Sequence, residues 1–88
     1  MLEKIATASA PAAVGPYSQA IVCNGMIYAS GQLGLVPETG KLAEGGVAAQ
    51  AEQACKNVAA VLAAKGITLD NVVKTTCFLA DIGDFAEF

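Results

Sequence analysis

Asn24-Gly25 stands between two short alternating runs, Ser18 to Cys23 and Met26 to Ser30. Both central residues of a type I′ turn need positive φ, and Asn-Gly meets that need at little steric cost. The pair therefore predicts a two-residue hairpin turn and fixes how the flanking strands align. Tyr17 and Ser30 lie at similar distances from the turn on opposite arms, so they should come together at the hairpin's open end. Two segments rich in small residues meet there: Gly15-Pro16-Tyr17-Ser18-Gln19-Ala20 and Ser30-Gly31-Gln32. Pro16 also biases Gly15 toward extended backbone.

The other elements arrange themselves around this hairpin. Leu2 to Thr7 reads as a short strand, and Ala8 to Pro11 opens an irregular loop. Beyond the hairpin, Pro37-Glu38-Thr39-Gly40 has the composition of a turn. Val47 to Lys65 predicts a helix. Its apolar stripe holds Val47, Ala51, Ala54, Cys55, Val58, Val61 and Leu62, while Gln50, Gln53, Lys56 and Asn57 fall largely off it. Lys65 suits the negative end of the helix dipole. Gly66 offers a left-handed cap that Ile67 can close by packing back on the last turn. Val72 to Ala80 alternates like a strand, with Val73, Thr75, Cys77 and Leu79 opposite Val72, Lys74, Thr76 and Phe78. Strand, helix, strand predicts a right-handed crossover with parallel pairing, if both strands share a sheet. Asp84 and Glu87 have capping-box spacing for a further helix. Phe88 follows after barely one turn, so the sequence is expected to be cut inside that helix.

Charge and cysteine usage exclude several function classes. The chain has 88 residues and a net charge of −3; its five basic residues are all lysine, with no arginine and no histidine. Lys4, Lys41, Lys56, Lys65 and Lys74 are scattered, whereas nucleic-acid binding calls for a basic patch. Cys23, Cys55 and Cys77 form no CxxC pair, which argues against a disulfide framework and against a zinc site. Reduced thiols, buried or half-buried, are the expectation. A nucleophilic cysteine would find no histidine to activate it. No apolar run nears the roughly 20 residues of a membrane span. Met1-Leu2-Glu3-Lys4 lacks the layout of a signal peptide, so a cytoplasmic protein is expected. A chain this short makes one domain at most and leans toward oligomerisation.

Few side chains remain to carry chemistry. Tyr17 offers a flat apolar ring and a hydroxyl that stays a neutral donor at neutral pH, suited to lining a ligand cleft. A tyrosine at a loop–strand junction can equally serve the core alone. Ser18 and Gln19 suit ordinary turn satisfaction. Gly31, just after a strand, lets backbone approach a ligand and offers its amide to a carboxylate oxygen. A bulge or tight bend accounts for Ser30-Gly31 equally well. No lysine-serine/threonine signature follows Gly31, Gly34 or Gly45-Gly46, which excludes a phosphate loop. Glu52, Asp81 and Asp84 read as solvated or capping carboxylates.

Taken together, these segments resemble the reactive intermediate deaminase family (Rid, also called YjgF or endoribonuclease L-PSP). The hairpin-mouth segments carry the likeness, with Tyr28-Ala29-Ser30-Gly31-Gln32, the helix holding Gln50-Ala51 and Asn57, and Val73 to Asp81. It runs through the whole chain. The resemblance implies an α+β, chorismate-mutase-like mixed sheet with helices on one face. Residues 1–88 would be a single partial domain, with the last helix cut short and the C-terminal strands missing. It implies hydrolysis of enamine and imine intermediates such as 2-aminoacrylate and 2-iminobutanoate to 2-keto acids and ammonia, with no metal or organic cofactor. It implies a homotrimer with a cleft at each subunit interface, small imino-acid and 2-keto-acid carboxylates as ligands, and no membrane partner. Tyr17 would be the catalytic residue orienting ligand or water, and Ser30 and Gly31 would bind substrate. The family's carboxylate-clamping arginine and a water-positioning glutamate belong to the C-terminal strands, so activity is expected of the intact protein rather than of these residues alone. Rival readings are RNA cleavage or translation inhibition, which the acidic balance and lack of histidine oppose, and a non-catalytic small-ligand-binding or chaperone-like trimer.

Overall fold

The computed structural model describes residues 2–88. Met1, and with it part of the N-terminal layout discussed above, lies outside the described residues. Three strands, β1 (Leu2–Ile5), β2 (Ala20–Cys23) and β3 (Met26–Ala29), form an antiparallel sheet in the order β1-β2-β3. The helix α1 runs from Gly46 to Ala63. Short 3₁₀ turns follow at Leu69–Asn71 and Ile82–Asp84. The fold is therefore α+β.

The hairpin turn forms where its sequence places it. Asn24 and Gly25 have φ of 51° and 77°, and Cys23 pairs with Met26 across them. That register puts Glu3, Ile5, Ala20, Val22, Ile27 and Ala29 on one face, because directly opposed residues share a side. The helix covers this face. Ile5, Ala10, Ala20 and Val61 make the buried cluster, with Val22, Ile27 and Ala60 against it. Leu2, Lys4, Ile21, Cys23, Met26 and Tyr28 occupy the opposite face, where Leu2 and Tyr28 are 67% and 63% exposed.

The helix ends as its last residues dictate. Gly66 takes φ +78°, the Ile67 amide donates to the Leu62 carbonyl at 3.2 Å, and the Gly66 amide donates to Ala63 at 2.9 Å. This is a Schellman closure, which satisfies carbonyls that the helix leaves open. Lys65 reaches across to β1, its ammonium 2.6 Å from Glu3 Oε1. Among the described residues, no helix is long and apolar enough to cross a membrane.

Three expectations need correction. First, Val72 to Ala80 is extended but joins no ladder, so the described sheet has no parallel crossover. Lys74 Nζ donates to Thr76 Oγ1 at 3.1 Å, as same-side neighbours on an extended chain can. Alternation sets which way side chains point, but a strand also needs a hydrogen-bonding edge beside it. None stands there among the described residues, and Phe78 is 92% exposed. Second, Asp81 rather than Asp84 caps the last turn, its Oδ1 accepting from the Gly83 amide at 2.8 Å. Third, Cys55 and Cys77 are exposed and only Cys23 is half-buried. The helix packs against a loop as well as the sheet. This rotates its buried arc toward Gln50, Gln53 and Asn57 and carries Cys55 into solvent.

Candidate functional site

The open end of the hairpin is built from backbone hydrogen bonds that outlast the ladder. Past the terminal pair Ala20–Ala29, the Ser30 amide donates to the Gln19 carbonyl at 3.0 Å. The Ser30 hydroxyl then donates to the Ser18 carbonyl at 2.6 Å. These two bonds hold residues 18 and 30 together and bring Tyr17 and Gly31, one step further along each arm, to the same end of the hairpin. The Tyr17 amide donates to the Gly15 carbonyl at 2.8 Å, closing a tight turn about Pro16. Tyr17 as a whole is 48% exposed.

Tyr17 and Ser18 also line an open depression of about 360 Å³, together with Lys4, Thr7 and Gln19 among others. Ser30 and Gly31 stand outside that lining. The structure thus brings the three expected site residues to one hairpin mouth without enclosing them in one cavity. Gly31 is exposed, with nothing within 4 Å of where a Cβ would project. Among the described residues its amide has no hydrogen-bond partner. A free, exposed backbone amide can receive a small anion. The Ser30 hydroxyl proton, by contrast, is already committed to Ser18.

Two buried amide side chains support this mouth, and sequence reasoning gave neither its role. Gln19 is 4% exposed: its Oε1 accepts from the Thr7 amide at 2.7 Å, and its Nε2 donates to the carbonyls of Thr7 at 3.1 Å and Pro11 at 2.8 Å. It folds the loop before β2 onto the strand. Asn57 is 1% exposed and ties α1 to the loop after β3, its Nδ2 donating to the carbonyls of Leu33 and Leu35 at 3.0 and 2.9 Å. The signal for Asn57 was its position four residues before Val61, on the shoulder of the apolar stripe. Glu52 pairs with Lys56 at 3.1 Å on the solvent side, as expected of a surface carboxylate. Among the described residues, no group of three or more histidine, cysteine, aspartate or glutamate side chains is placed to hold a metal ion.

The endoribonuclease L-PSP family model matches residues 7–88. The chain belongs to that family. Its members include the human protein named 2-iminobutanoate/2-iminopropanoate deaminase, to which this chain is 56% identical over 81 residues, covering 92% of this chain and 59% of the human protein. The bovine protein of the same name is 55% identical over 82 residues, 93% of this chain and 60% of that protein. Among solved structures, a Yersinia pestis protein described as a Rid-family member of unknown function superposes with a TM-score of 0.94. It is 46% identical, and the match covers 99% of this chain and 69% of that one. This chain thus spans about three-fifths of the length of the curated family relatives. The hairpin, the helix and the extended segment after it all fall within the matched span.

Proposed function

We propose that the protein carrying this chain hydrolyses reactive enamine and imine intermediates of the 2-iminobutanoate and 2-iminopropanoate type. The observation that carries the reading is the 56% identity to a human protein named for that activity. The hairpin mouth supplies chemistry to match. Water adds to the C=N carbon of the imino acid, the carbon–nitrogen bond breaks, and ammonia and a 2-keto acid leave. Such a reaction asks mainly for orientation, which can supply a large part of a rate enhancement.

In this reading the Gly31 amide holds a carboxylate oxygen of the substrate, and the Ser30 hydroxyl, its proton turned to Ser18, can only accept, so it faces an N–H of the substrate rather than its carboxylate. Tyr17 lines the cleft and orients substrate or water through its hydroxyl. No arginine is present in these 88 residues. Bidentate arginine–carboxylate pairing has a geometry lysine does not reproduce. A cationic wall therefore has to come from elsewhere in the assembly. The outer face of the sheet, with exposed Leu2, Met26 and Tyr28 around half-buried Ile21, supports self-association as a homotrimer that covers it. Three free thiols accord with a cytoplasmic setting.

The test is a coupled assay with threonine dehydratase, following release of 2-oxobutanoate. This chain alone should add nothing beyond buffer. Extended by the remaining part of the human relative, it should accelerate release, and Tyr17→Phe in the extended chain should slow that reaction at unchanged melting temperature. An extended protein that is folded yet inert would reject the reading.

A further inference from the structure

Gly31 and Gln32 span two fixed points. Upstream, Ser30 is held by its amide and hydroxyl to Gln19 and Ser18. Downstream, the Leu33 and Leu35 carbonyls both accept from Asn57 Nδ2. Between those carbonyls, Gly34 lies so close to α1 that a Cβ would stand 2.5 Å from the Gln50 carbonyl oxygen. The Gly34 carbonyl is itself taken by the Ala43 amide at 2.8 Å. Nothing stands within 4 Å of where a Gly31 Cβ would project. Only Gly31 and Gln32 separate the two anchors, so a shift at Leu33 reaches Gly31 through a single intervening residue. The direction of the Gly31 amide therefore responds to where the anchors stand.

Asn57 is suited to this in every polar atom. Both amide hydrogens are used on the loop, and Oδ1 accepts from Gln53 Nε2 at 2.9 Å, which fixes which end of the amide faces the carbonyls. We propose that Asn57 is a positioning residue that acts through Leu33 and Leu35 to aim the Gly31 amide at the substrate carboxylate. The role in substrate binding rests on the reading of the hairpin mouth given above. The aiming itself does not.

The experiment uses the ¹⁵N-labelled chain extended by the remaining part of the human relative, with 2-oxobutanoate as probe. Asn57→Asp keeps the side chain's shape but turns oxygen toward two carbonyls. Gln53→Ala, at a half-buried position where alanine favours the helix, removes only the partner that orients Asn57. The expected result for Asn57→Asp is a displaced Gly31 amide resonance, with exchange at Leu33 to Leu35 about tenfold faster or more, while the β2–β3 amides keep their protection. Affinity for 2-oxobutanoate should fall about 3- to 10-fold, the worth of one well-aimed hydrogen bond. Gln53→Ala should shift Gly31 the same way by less. An unmoved Gly31 in folded Asn57→Asp overturns the proposal, as does uniform loss of protection across the hairpin. If Asn57→Asp does not fold, Gln53→Ala decides alone, and an unmoved Gly31 there counts against it. Absence of 2-oxobutanoate binding to the parent chain would reject the reading of the hairpin mouth, while the Gly31 shift would still decide the aiming.

Discussion

Gly34→Ala probes how tightly the loop after β3 is pressed onto the helix. The new Cβ would lie 2.5, 2.7 and 2.9 Å from the carbonyl oxygen, Cα and Cβ of Gln50. Ordinary contact begins near 3.4 Å. These are backbone and first side-chain atoms of α1, so none can swing aside. The loop must lift by roughly 1 Å, which stretches the 3.0 and 2.9 Å bonds from Asn57 to Leu33 and Leu35 beyond useful length. Overpacking of this kind costs about 1–3 kcal/mol, and each weakened hydrogen bond adds about 0.5–1.5 kcal/mol. A net loss of about 2–6 kcal/mol follows, which for a domain of this size lowers the melting temperature by about 8 °C or more. Urea unfolding followed by circular dichroism reads the loss directly. Gly31→Ala is the control: open space surrounds that position, so its stability should stay within about 0.5 kcal/mol of the parent. A Gly34→Ala chain as stable as that control would refute the close approach.

Three further substitutions test separate supports. Gln19→Ala leaves the Thr7 amide and the Thr7 and Pro11 carbonyls without their partner and should cost about 2–3 kcal/mol in urea unfolding. Gly66→Val forces a β-branched residue to φ +78°; with nothing nearby to clash, the cost should be conformational alone, about 1–2 kcal/mol by thermal melting. Lys65→Ala removes a half-exposed ion pair to Glu3 and should change stability by less than about 1 kcal/mol, with any effect fading in high salt.

Much of the fold was legible because it is encoded locally. Asn24-Gly25 dictates its own turn, and the turn dictates which residues oppose one another in β2 and β3. The helix and its Gly66 closure follow from a repeating stripe and one permissive residue. What the sequence left hidden depends on partners distant along the chain. Asn57 looks like a surface polar residue until the loop carbonyls 22 and 24 positions earlier are placed against it. Gln19 likewise finds its partners 8 and 12 residues upstream. Val72 to Ala80 shows the converse, a strand-like pattern whose pairing edge alternation alone cannot specify. For the site, the meeting of Ser30 with Ser18 and Gln19 at the hairpin's open end was legible because one turn relates them. The commitment of the Ser30 hydroxyl to the Ser18 carbonyl was not.

The central claim is that a small carboxylate lands on the Gly31 amide at the hairpin mouth, beside Tyr17. Titrating 2-oxobutanoate into the ¹⁵N-labelled extended chain and following each amide tests it most directly. The account predicts saturable shifts concentrated at Tyr17, Ser30, Gly31 and Gln32, with the Asn24-Gly25 turn at the far end of the hairpin unmoved. Shifts confined to other surfaces, or none at any concentration, would contradict it.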